Sequence, residues 1–185
     1  ELVANQGLDI HDIESVGIGS PGSIDPDKGI VEYSNNLPFK DFHIADVFKK
    51  YLPVSRVLIE NDANAAALGE AVAGAARGVK HAIMITLGTG VGGGVITDGK
   101  VLKGFNSAAG ELGHIVIEVD GRPCSCGRRG CWEAYSSATA LIRDTKRAMV
   151  EHPDSKMWEI GTTDAVTGKT VFDYAPVDAY AKEVL

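Results

Sequence analysis

Short apolar runs alternate with amphipathic stretches along the chain, and this pattern predicts strands mixed with helices. Residues 16–19 and 57–59 are brief apolar segments typical of buried strands, and residues 81–87 and 91–96 are longer ones. In residues 44–51 the apolar positions Ile, Val and Phe recur at helical spacing and define one face of a predicted helix. The alternation is typical of an α/β fold with a mixed sheet.

Turn-forming residues separate these predicted elements. Ser-Pro-Gly at residues 20–22 follows the first strand, and Asp98-Gly99 predicts a tight hairpin. Residues 24–37 are polar and turn-rich and contain Asn35-Asn36. Residues 115–119 predict a further strand, and residues 132–150 predict one long helix.

Composition and charge narrow the class of protein. The 185 residues are 44% apolar and 23% charged, as in an ordinary globular protein. The net charge of -7 and the 6% aromatic content disfavour nucleic-acid binding by this segment. No apolar run approaches the roughly 20 residues of a membrane helix, and the first residues show no signal-peptide pattern. The expected compartment is the cytoplasm, without a membrane partner.

Both ends of the sequence resemble internal segments. Glu1 is not an initiator Met, and residues 180–185 have the pattern of the middle of a helix. We therefore expect the sequence to be a piece of a longer protein.

Three cysteines lie close together in sequence and predict a metal site. Cys124, Cys126 and Cys131 are too few and too clustered for a disulfide framework. With His114 they offer three sulfurs and one imidazole nitrogen, which complete a tetrahedral shell for a structural Zn²⁺. A catalytic zinc is disfavoured because four protein ligands leave no open position. If His114 contacts a substrate instead, only three protein ligands remain.

The residues between the cysteines favour a metal-binding loop. Gly127 and Gly130 allow the loop to fold back so that the sulfurs point inward. Arg128 and Arg129 are close enough in sequence to lower the pKa of the thiols and favour thiolate. The alternative interpretation is a set of cysteines without a ligand role.

Polar residues cluster where a predicted strand meets a predicted helix, in Glu-Asn-Asp-Ala-Asn at residues 60–64, called here the Asn-Asp box. Side chains at the carboxyl end of a strand face the crevice where α/β proteins bind ligands. Asp62 at this place can accept a proton from a hydroxyl group. Asp62 and Asn64 are also natural N-cap residues, and from position alone a helix cap is the commoner role.

A glycine-rich segment lies between the strands predicted at 81–87 and 91–96. Gly88, Thr89 and Gly90 form its tight turn, called here the glycine turn, whose backbone amides are free to approach phosphate oxygens. The segment is neither a Walker A loop nor a Rossmann fingerprint, since strands flank it on both sides. A simple hairpin turn is the alternative.

Two further acidic residues and a histidine complete the candidate chemistry. Glu111 and His114 are three positions apart and can face one pocket. Glu133 follows the last cysteine by two residues, and the alternative for it is a favourable carboxylate in the first turn of a helix.

These segments, in this order, resemble the signatures of the ROK family of sugar kinases and sugar-responsive repressors. Each signature is modest by itself, but their conjunction is specific and covers nearly the whole chain. The matching segments are residues 19–22, 60–64, 87–90, 110–114 and 124–133.

The resemblance implies an actin-like (ribonuclease H-like) ATPase fold of the α/β class, with two lobes around a cleft, truncated here at both ends. Residues 1–76 would be the remainder of the N-terminal lobe with the Asn-Asp box. Residues 77–185 would be part of the C-terminal lobe with the phosphate turn and the zinc loop. The family's amino-terminal Asp-x-Gly-Gly-Thr phosphate loop is missing from this sequence, as is the late adenosine-binding region.

The resemblance also implies roles for individual residues. Asp62 would be the catalytic base, and His114 would serve both the zinc and the sugar. Gly88, Thr89 and Gly90 would approach the phosphates of ATP bound with Mg²⁺. The residues implied to bind the sugar are Ser20, Gly22, Asn36, Asn61, Asp62, Glu111, His114 and Glu133.

The function that the resemblance implies is ATP-dependent phosphorylation of a hexose, with glucose converted to glucose 6-phosphate. The partners would be a hexose, ATP and a second copy of the chain in a homodimer. One alternative is a sugar-sensing ROK repressor whose DNA-binding helices would precede residue 1. Another is a kinase for N-acetylmannosamine, N-acetylglucosamine or fructose. A zinc-stabilised binding module leaves the Asn-Asp box unexplained.

Overall fold

The computed structural model describes residues 1–34 and 37–185, which combine helices and small β-sheets as the α/β prediction requires. The strands are β1 (Ser15–Ser20), β2 (Ser23–Asp25), β3 (Ile30–Tyr33), β4 (Lys40–Phe42), β5 (Arg56–Asn61), β6 (Ala82–Leu87), β7 (Val91–Thr97) and β8 (Lys100–Val101). The α-helices are α1 (Leu2–Asn5), α2 (Ile44–Tyr51), α3 (Asp62–Ala73), α4 (Glu133–Ser136), α5 (Ala138–Glu151), α6 (Thr170–Tyr174) and α7 (Ala179–Val184).

The strands form three sheets, where the sequence pattern predicted one mixed sheet. β1 and β5 pair in parallel, and β2, β3 and β4 form an antiparallel sheet in that order. The third sheet has the order β6-β7-β8, with β7 and β8 antiparallel. Parallel and antiparallel pairs are therefore both present, but in separate sheets.

The chain divides into two compact units, which are described one at a time. The first comprises residues 1–85 and 93–111, and the second comprises residues 86–92 and 112–185. The predicted division at residue 76 concerns the lobes of the family's fold and stays a prediction.

The core of the first unit brings strands and α2 together. Ile24, Val31, Ile44 and Ile59 are buried against one another. Burial of such branched side chains contributes roughly 1.5–3 kcal/mol each relative to exposure. The helix predicted over residues 44–51 is confirmed. Its predicted apolar face is only partly buried, because Val47 is exposed.

A hairpin in the first unit replaces the irregular connection predicted over residues 24–37. Asp25 closes the turn, because its Oδ1 accepts hydrogen bonds from the amides of Asp27 and Lys28. β2 and β3 pair on either side of this turn. The turn-rich interpretation of residues 24–37 did not include these two strands, for which Ile24 and Val31 supply buried positions between the polar residues.

The Asp98-Gly99 hairpin of the first unit is confirmed. Both residues have positive φ, +50° for Asp98 and +74° for Gly99. Two consecutive positive φ values define the type I′ turn that matches the twist of paired strands.

The single long helix predicted over residues 132–150 is wrong, because Ser137 separates α4 from α5. The backbone of Ser137 is extended, with φ -81° and ψ 161°. Its buried hydroxyl accepts a hydrogen bond from the amide of Ala140 at 3.1 Å and so caps α5. A serine that caps a helix stabilises a new start instead of a continuous one.

The strand predicted over residues 115–119 is also wrong. A single antiparallel bridge joins Val116 to Cys131, and the amide of Ile117 donates to the carbonyl of Gly130 at 2.8 Å. Gly130 has φ +76°, a left-handed conformation that ends regular pairing. The apolar run therefore forms one wall of the cysteine loop, residues 124–131, and not a strand.

The carboxyl-terminal part of the second unit has its own core. Met149, Met157, Val171 and Ala181 are buried together. Asp178 is buried beside them and accepts hydrogen bonds from the Ser155 hydroxyl and from the amides of Lys156 and Ala181. Among residues 1–34 and 37–185, no helix is long and apolar enough to cross a lipid bilayer.

Candidate functional site

The Asn-Asp box lies in the first unit, where β5 ends and α3 begins. Asn61 is the N-cap: its Oδ1 accepts hydrogen bonds from the amides of Ala63 at 3.0 Å and Asn64 at 3.1 Å. The prediction that Asp62 and Asn64 supply the cap is therefore wrong. Asn64 is instead buried, and Asp62 is the first residue of the helix.

The cap at Asn61 changes the interpretation of Asp62. Asp62 is exposed, and its Oδ1 accepts a hydrogen bond from the neighbouring amide of Ala63 at 2.9 Å. Within the described part of the chain, its Oδ2 has no hydrogen-bond partner. The positive end of the helix dipole stabilises a carboxylate at this position. Asp62 therefore presents a carboxylate oxygen that the fold itself does not use.

The turn at residues 20–22 lies beside the Asn-Asp box. Ser20 is opposite Asn61 in the parallel pairing of β1 with β5. The Nδ2 of Asn61 donates to the carbonyl of Gly22 at 3.3 Å. Gly22 has φ +107°, and an added Cβ would lie 2.1 Å from the carbonyl oxygen of Tyr33, so only glycine fits. Asn36, also predicted to bind the sugar, lies outside the described residues.

An ion pair that sequence reasoning missed anchors the next loop to the Asn-Asp box. The Nζ of Lys103 is 2.5 Å from Oε2 of Glu60, and Oε1 of Glu60 accepts from the amide of Asn61. The carbonyl of Lys103 also accepts from the amide of Ala109. This contact joins residues distant in sequence, and no local pattern indicates it.

Glu111 ends the part of the chain assigned to the first unit, and its side chain is exposed. Gly110 before it packs tightly, because an added Cβ would lie 2.6 Å from the carbonyl oxygen of Gly93 and 3.2 Å from Oδ1 of Asn64. His114 belongs to the second unit, so the predicted shared pocket of Glu111 and His114 stays a prediction.

The second unit brings together the four predicted metal ligands, called here the Cys3His cluster. One potential ligand atom from each residue lies within 4.8 Å of the others. The members of the cluster are His114, Cys124, Cys126 and Cys131.

The spacing of these atoms fits a tetrahedral zinc shell. The Sγ atoms of Cys126 and Cys131 are 3.7 Å apart, and the Sγ of Cys124 is 3.6 Å from Nδ1 of His114. Bond lengths of about 2.3 Å to sulfur and about 2.0 Å to nitrogen give tetrahedral edges of about 3.8 Å between two sulfurs and about 3.5 Å between sulfur and nitrogen. The cluster is therefore compatible with a structural zinc, with Nδ1 as the facing atom of His114.

Glycines shape the cysteine loop as predicted. Gly127 and Gly130 have φ values of +85° and +76°. An added Cβ at Gly130 would lie 1.6 Å from the carbonyl oxygen of Glu118. The loop turns back at these two positions because a residue without a Cβ occupies each of them.

The cysteines differ in their tendency to ionise. Burial opposes ionisation of Cys126, but hydrogen bonds from the backbone and guanidinium of Arg128 outweigh it and lower the pKa of this thiol to about 6. Burial raises the pKa of Cys131 to about 11, and Cys126 adds to this effect. The predicted influence of Arg128 is thus present at Cys126. Arg129 instead donates to the carbonyl of Asp120.

Contacts of Arg122, two residues before the cysteine loop, fasten this part of the chain to α4 and α5. The guanidinium of Arg122 is 2.6 Å from a carboxylate oxygen of Asp144, and the Tyr135 hydroxyl accepts from the amide of Arg122 at 2.7 Å. Burial raises the pKa of Asp144, but hydrogen bonds from Arg143 and Arg122 outweigh it and hold the pKa below its usual value. Sequence reasoning missed this support.

The glycine turn rests on the start of α5. The carbonyl of Gly88 accepts from the amide of Ala138 at 2.8 Å, and the carbonyl of Thr89 accepts from the Thr139 hydroxyl at 2.7 Å. Within the turn, the amide of Gly88 donates to the carbonyl of Gly90 at 3.0 Å.

Glu133 contacts both the glycine turn and the cysteine loop. Its Oε2 accepts from the amide of Val91 at 3.0 Å, and its Oε1 accepts from the Ser125 hydroxyl at 3.3 Å. The sequence predicted only a sugar contact or a first-turn carboxylate for this residue.

Comparison with known proteins finds that the chain is similar to bacterial glucokinases and to a xylose repressor. The chain is 41% identical over 177 residues to a glucokinase of Halalkalibacterium halodurans and 43% identical over 180 residues to a glucokinase of Thermotoga maritima. Each alignment covers 94% of this chain, and 53% and 56% of the respective relative. A xylose repressor of Bacillus subtilis is 38% identical, over 82% of this chain and 40% of the repressor. The chain thus spans about half the length of the curated relatives it matches.

A solved structure agrees with the sequence relatives. The crystal structure of a ROK family glucokinase from Streptomyces griseus in complex with glucose and AMPPNP is similar with a TM-score of 0.84 and 36% identity. The match covers 98% of this chain and 58% of that one. It confirms the predicted actin-like fold class. Because the ROK family model matches residues 1–185 in addition, the chain belongs to the ROK family.

Proposed function

We propose that the chain provides the sugar-binding residues and the catalytic base of an ATP-dependent hexose kinase, with glucose as the expected substrate. The observation that carries the proposal is the free Oδ2 of Asp62 at the start of α3, where Asn61 performs the capping. Because Asn61 supplies the cap, Asp62 is not required for capping, and only its Oδ1 is engaged, with the amide of Ala63. The similarity to two glucokinases supports the choice of substrate.

In the proposed mechanism, Asp62 accepts the proton of a sugar hydroxyl. The hydroxyl oxygen then attacks the γ-phosphorus of ATP in line, the bond to the bridging oxygen breaks, and ADP leaves. Mg²⁺ bound with ATP would neutralise charge on the phosphates. Gly88, Thr89 and Gly90 are proposed to approach the phosphates, with the amides of Thr89 and Gly90 as donors to the phosphate oxygens, since the amide of Gly88 donates to the carbonyl of Gly90.

The remaining sugar contacts are proposed to position the hydroxyl groups. Asn61 is well placed for such a role, since the capping interaction and the bond to Gly22 fix its side chain. A fixed amide binds without a further loss of rotamer entropy. The residues proposed to contact the sugar are Ser20, Gly22, Asn36, Asn61, Asp62, Glu111, His114 and Glu133.

We further propose that the Cys3His cluster holds one structural Zn²⁺. Two of the distances between these atoms, 3.6 Å and 3.7 Å, are compatible with a tetrahedral shell, and all four atoms lie within 4.8 Å of one another. The ion would supply no reaction chemistry, because all four positions are taken by the protein. It would hold the cysteine loop, and with it His114, in one conformation.

The test of the base is Asp62→Ala in the polypeptide that carries these residues, assayed with ATP and a panel of hexoses. Turnover should be lost while calorimetry still detects sugar binding. The matched control is Asp46→Ala, which removes an exposed carboxylate from the first turn of α2. Near wild-type turnover of Asp62→Ala would show that Asp62 is not the base. The hexose panel includes fructose and the N-acetylated hexosamines, so it also ranks the alternative substrates.

A sugar-responsive repressor is the second candidate, because the xylose repressor of Bacillus subtilis is 38% identical to the chain. A repressor binds a sugar without phosphorylating it and has no use for a base at Asp62. Sugar-dependent DNA binding by the whole protein, without phosphorylation of any sugar, would favour this candidate over the kinase. A homodimer is expected in either case, and light scattering on the purified protein tests it.

A further inference from the structure

The carboxylate of Glu133 is shared between two segments of the second unit. Oε2 accepts from the amide of Val91, the residue after the glycine turn, at 3.0 Å. Oε1 accepts from the hydroxyl of Ser125 at 3.3 Å, and it lies 3.9 Å from the Sγ of Cys124. Ser125 stands between two members of the Cys3His cluster, so whatever orders the cysteine loop also fixes this hydroxyl. The side chain therefore links the cysteine loop, through Ser125, to the backbone of Val91 directly after the glycine turn.

The absence of a side chain at Gly90 leaves room for the carboxylate of Glu133. A Cβ built on Gly90 would lie 2.2 Å from Oε2 of Glu133, and the next nearest atoms are also those of Glu133, at 3.2 Å and 3.9 Å. The φ of Gly90 is not in the left-handed region, so its backbone conformation is open to other residues. The space at position 90 is thus kept for the carboxylate.

We propose that Glu133 is a positioning residue that couples the Cys3His cluster to the glycine turn, so that Zn²⁺ in the cluster restrains the backbone at Val91. The inference rests on the proposed zinc site but requires neither sugar nor ATP. A hydrogen bond with an ionised acceptor is stronger than a neutral one, which gives the coupling a measurable size.

The first experiment measures amide hydrogen exchange of Val91 by NMR, with one equivalent of Zn²⁺ and after its removal by a chelator. In the wild-type chain, zinc should slow exchange at Val91 by about tenfold, the size expected for one charge-assisted hydrogen bond. In Glu133→Ala this zinc effect should vanish, although the variant still binds zinc because Glu133 is not a ligand. In Glu133→Gln most of the effect should return, since the amide oxygen can accept from Val91 and the amide nitrogen can donate to Ser125.

The matched control is Glu151→Ala, which removes an exposed glutamate of α5 that pairs only with Arg147 among the described residues. It should leave the zinc effect at Val91 unchanged. A general loss of structure in Glu133→Ala would speed exchange throughout α5, whereas loss of positioning is confined to the glycine turn and Val91. Zinc binding in the wild-type chain with equal exchange at Val91 in the presence and absence of the ion would overturn the coupling. A chain that binds no zinc would overturn the coupling and the zinc site together. Neither result bears on Asp62 as the base.

The second experiment is a double-mutant cycle between positions 90 and 133, with exchange at Val91 as the readout. Gly90→Ala alone should push the carboxylate away and speed exchange at Val91 about as much as Glu133→Ala does. In the Glu133→Ala background, Gly90→Ala should have almost no further effect, because the colliding group is gone. Additive effects of the two substitutions would show that position 90 does not act through Glu133.

Discussion

The Asn-Asp box and the cysteine loop are held in opposite ways. The cysteine loop is fixed by several features: the clustering of four potential ligand atoms, two glycines with positive φ, and the ion pair of Arg122 with Asp144 directly before the loop. The Asn-Asp box is fixed by the cap at Asn61, and it leaves an oxygen of Asp62 without a partner. The difference between the two regions is that the described contacts of the Asn-Asp box leave a carboxylate oxygen of Asp62 available as an acceptor.

The largest expected effect separates chemistry from stability at Asp62. Asp62→Asn keeps the shape of the side chain but removes the base, so turnover should fall by about 10²- to 10⁴-fold. The melting temperature should barely change, since Asn61 retains the cap. Steady-state kinetics and thermal unfolding of the same preparation check both halves. A large loss of stability would show that the fold depends on Asp62 and would remove the contrast with the cysteine loop.

The reverse pattern is expected at the Cys3His cluster. The wild-type chain is expected to bind about one zinc per chain. Cys131→Ser removes a fully buried proposed ligand, so this zinc should be lost. At a free zinc concentration about 1,000 times Kd, loss of zinc binding should lower the free energy of unfolding by about 4 kcal/mol. Metal analysis and unfolding with and without a chelator measure the effect. Arg129→Ala, in the same loop but outside the cluster, is the control and should keep both zinc and stability. A wild-type chain that melts identically with and without the chelator contradicts a structural ion.

In a third region, the buried carboxylate of Asp178 joins neighbouring segments by hydrogen bonds, without a metal ion. Asp178→Ala should lower the free energy of unfolding by about 3 kcal/mol, because it leaves the buried Ser155 hydroxyl and two amides without their acceptor. Asp173→Ala, an exposed neighbour paired with Lys169, should change stability by less than about 0.5 kcal/mol. Denaturant unfolding of both variants measures the difference, and equal effects would mean that the Asp178 network contributes nothing.

The same carboxylate gives stability a pH dependence of known sign. Burial raises the pKa of Asp178, but hydrogen bonds from Ala181, Ser155 and Lys156 outweigh it and hold the pKa below 3.8. A group with a depressed pKa in the folded state stabilises above its unfolded pKa and loses that contribution as pH falls through the folded value. Between about pH 5 and about pH 2, wild-type stability should therefore fall more steeply than that of Asp178→Asn. Parallel curves would contradict this.

The smallest effect tests the cap itself. Asn61→Ala should cost about 1 kcal/mol of stability, whereas Asn61→Asp should retain the cap and most of the stability. Both variants lose the amide donor that bonds to Gly22, so both should bind sugar more weakly. Chemical unfolding and calorimetry separate the two roles. Tight sugar binding by Asn61→Asp would show that the amide is not part of the binding site.

Local patterns explain which features the sequence revealed. The cysteines at 124, 126 and 131 lie in one short loop, and the Asp98-Gly99 turn needs only two residues, so spacing and residue type were sufficient to predict the clustering of the cysteines and the turn. The Asn-Asp box was located correctly, but the cap was assigned to the wrong members, because Asn and Asp have nearly equal cap preferences. The role of Asp62 stays a prediction for the same reason.

The features that the sequence did not reveal depend on contacts between distant residues, or on positions where two local structures compete. The ion pairs of Lys103 with Glu60 and of Arg122 with Asp144 join separate elements. Residues 115–119 carry an apolar run typical of a strand. They form only one bridge, because the left-handed backbone of Gly130 in the cysteine loop ends regular pairing. Ser137 was the overlooked signal of a helix break, since a serine inside an apparent helix also fits a new cap.

The two glycines of the cysteine loop set different limits on natural variation and on protein engineering. Gly130 combines a left-handed backbone with a carbonyl oxygen where a Cβ would be, so saturation mutagenesis should recover only glycine at that codon. Gly127 shares the backbone conformation, but no described atom lies within 4 Å of its would-be Cβ. Asparagine and aspartate, which tolerate left-handed geometry, should therefore be accepted there. Of the two glycine positions in this loop, residue 127 is therefore the one that suits the attachment of a probe or a peptide tag.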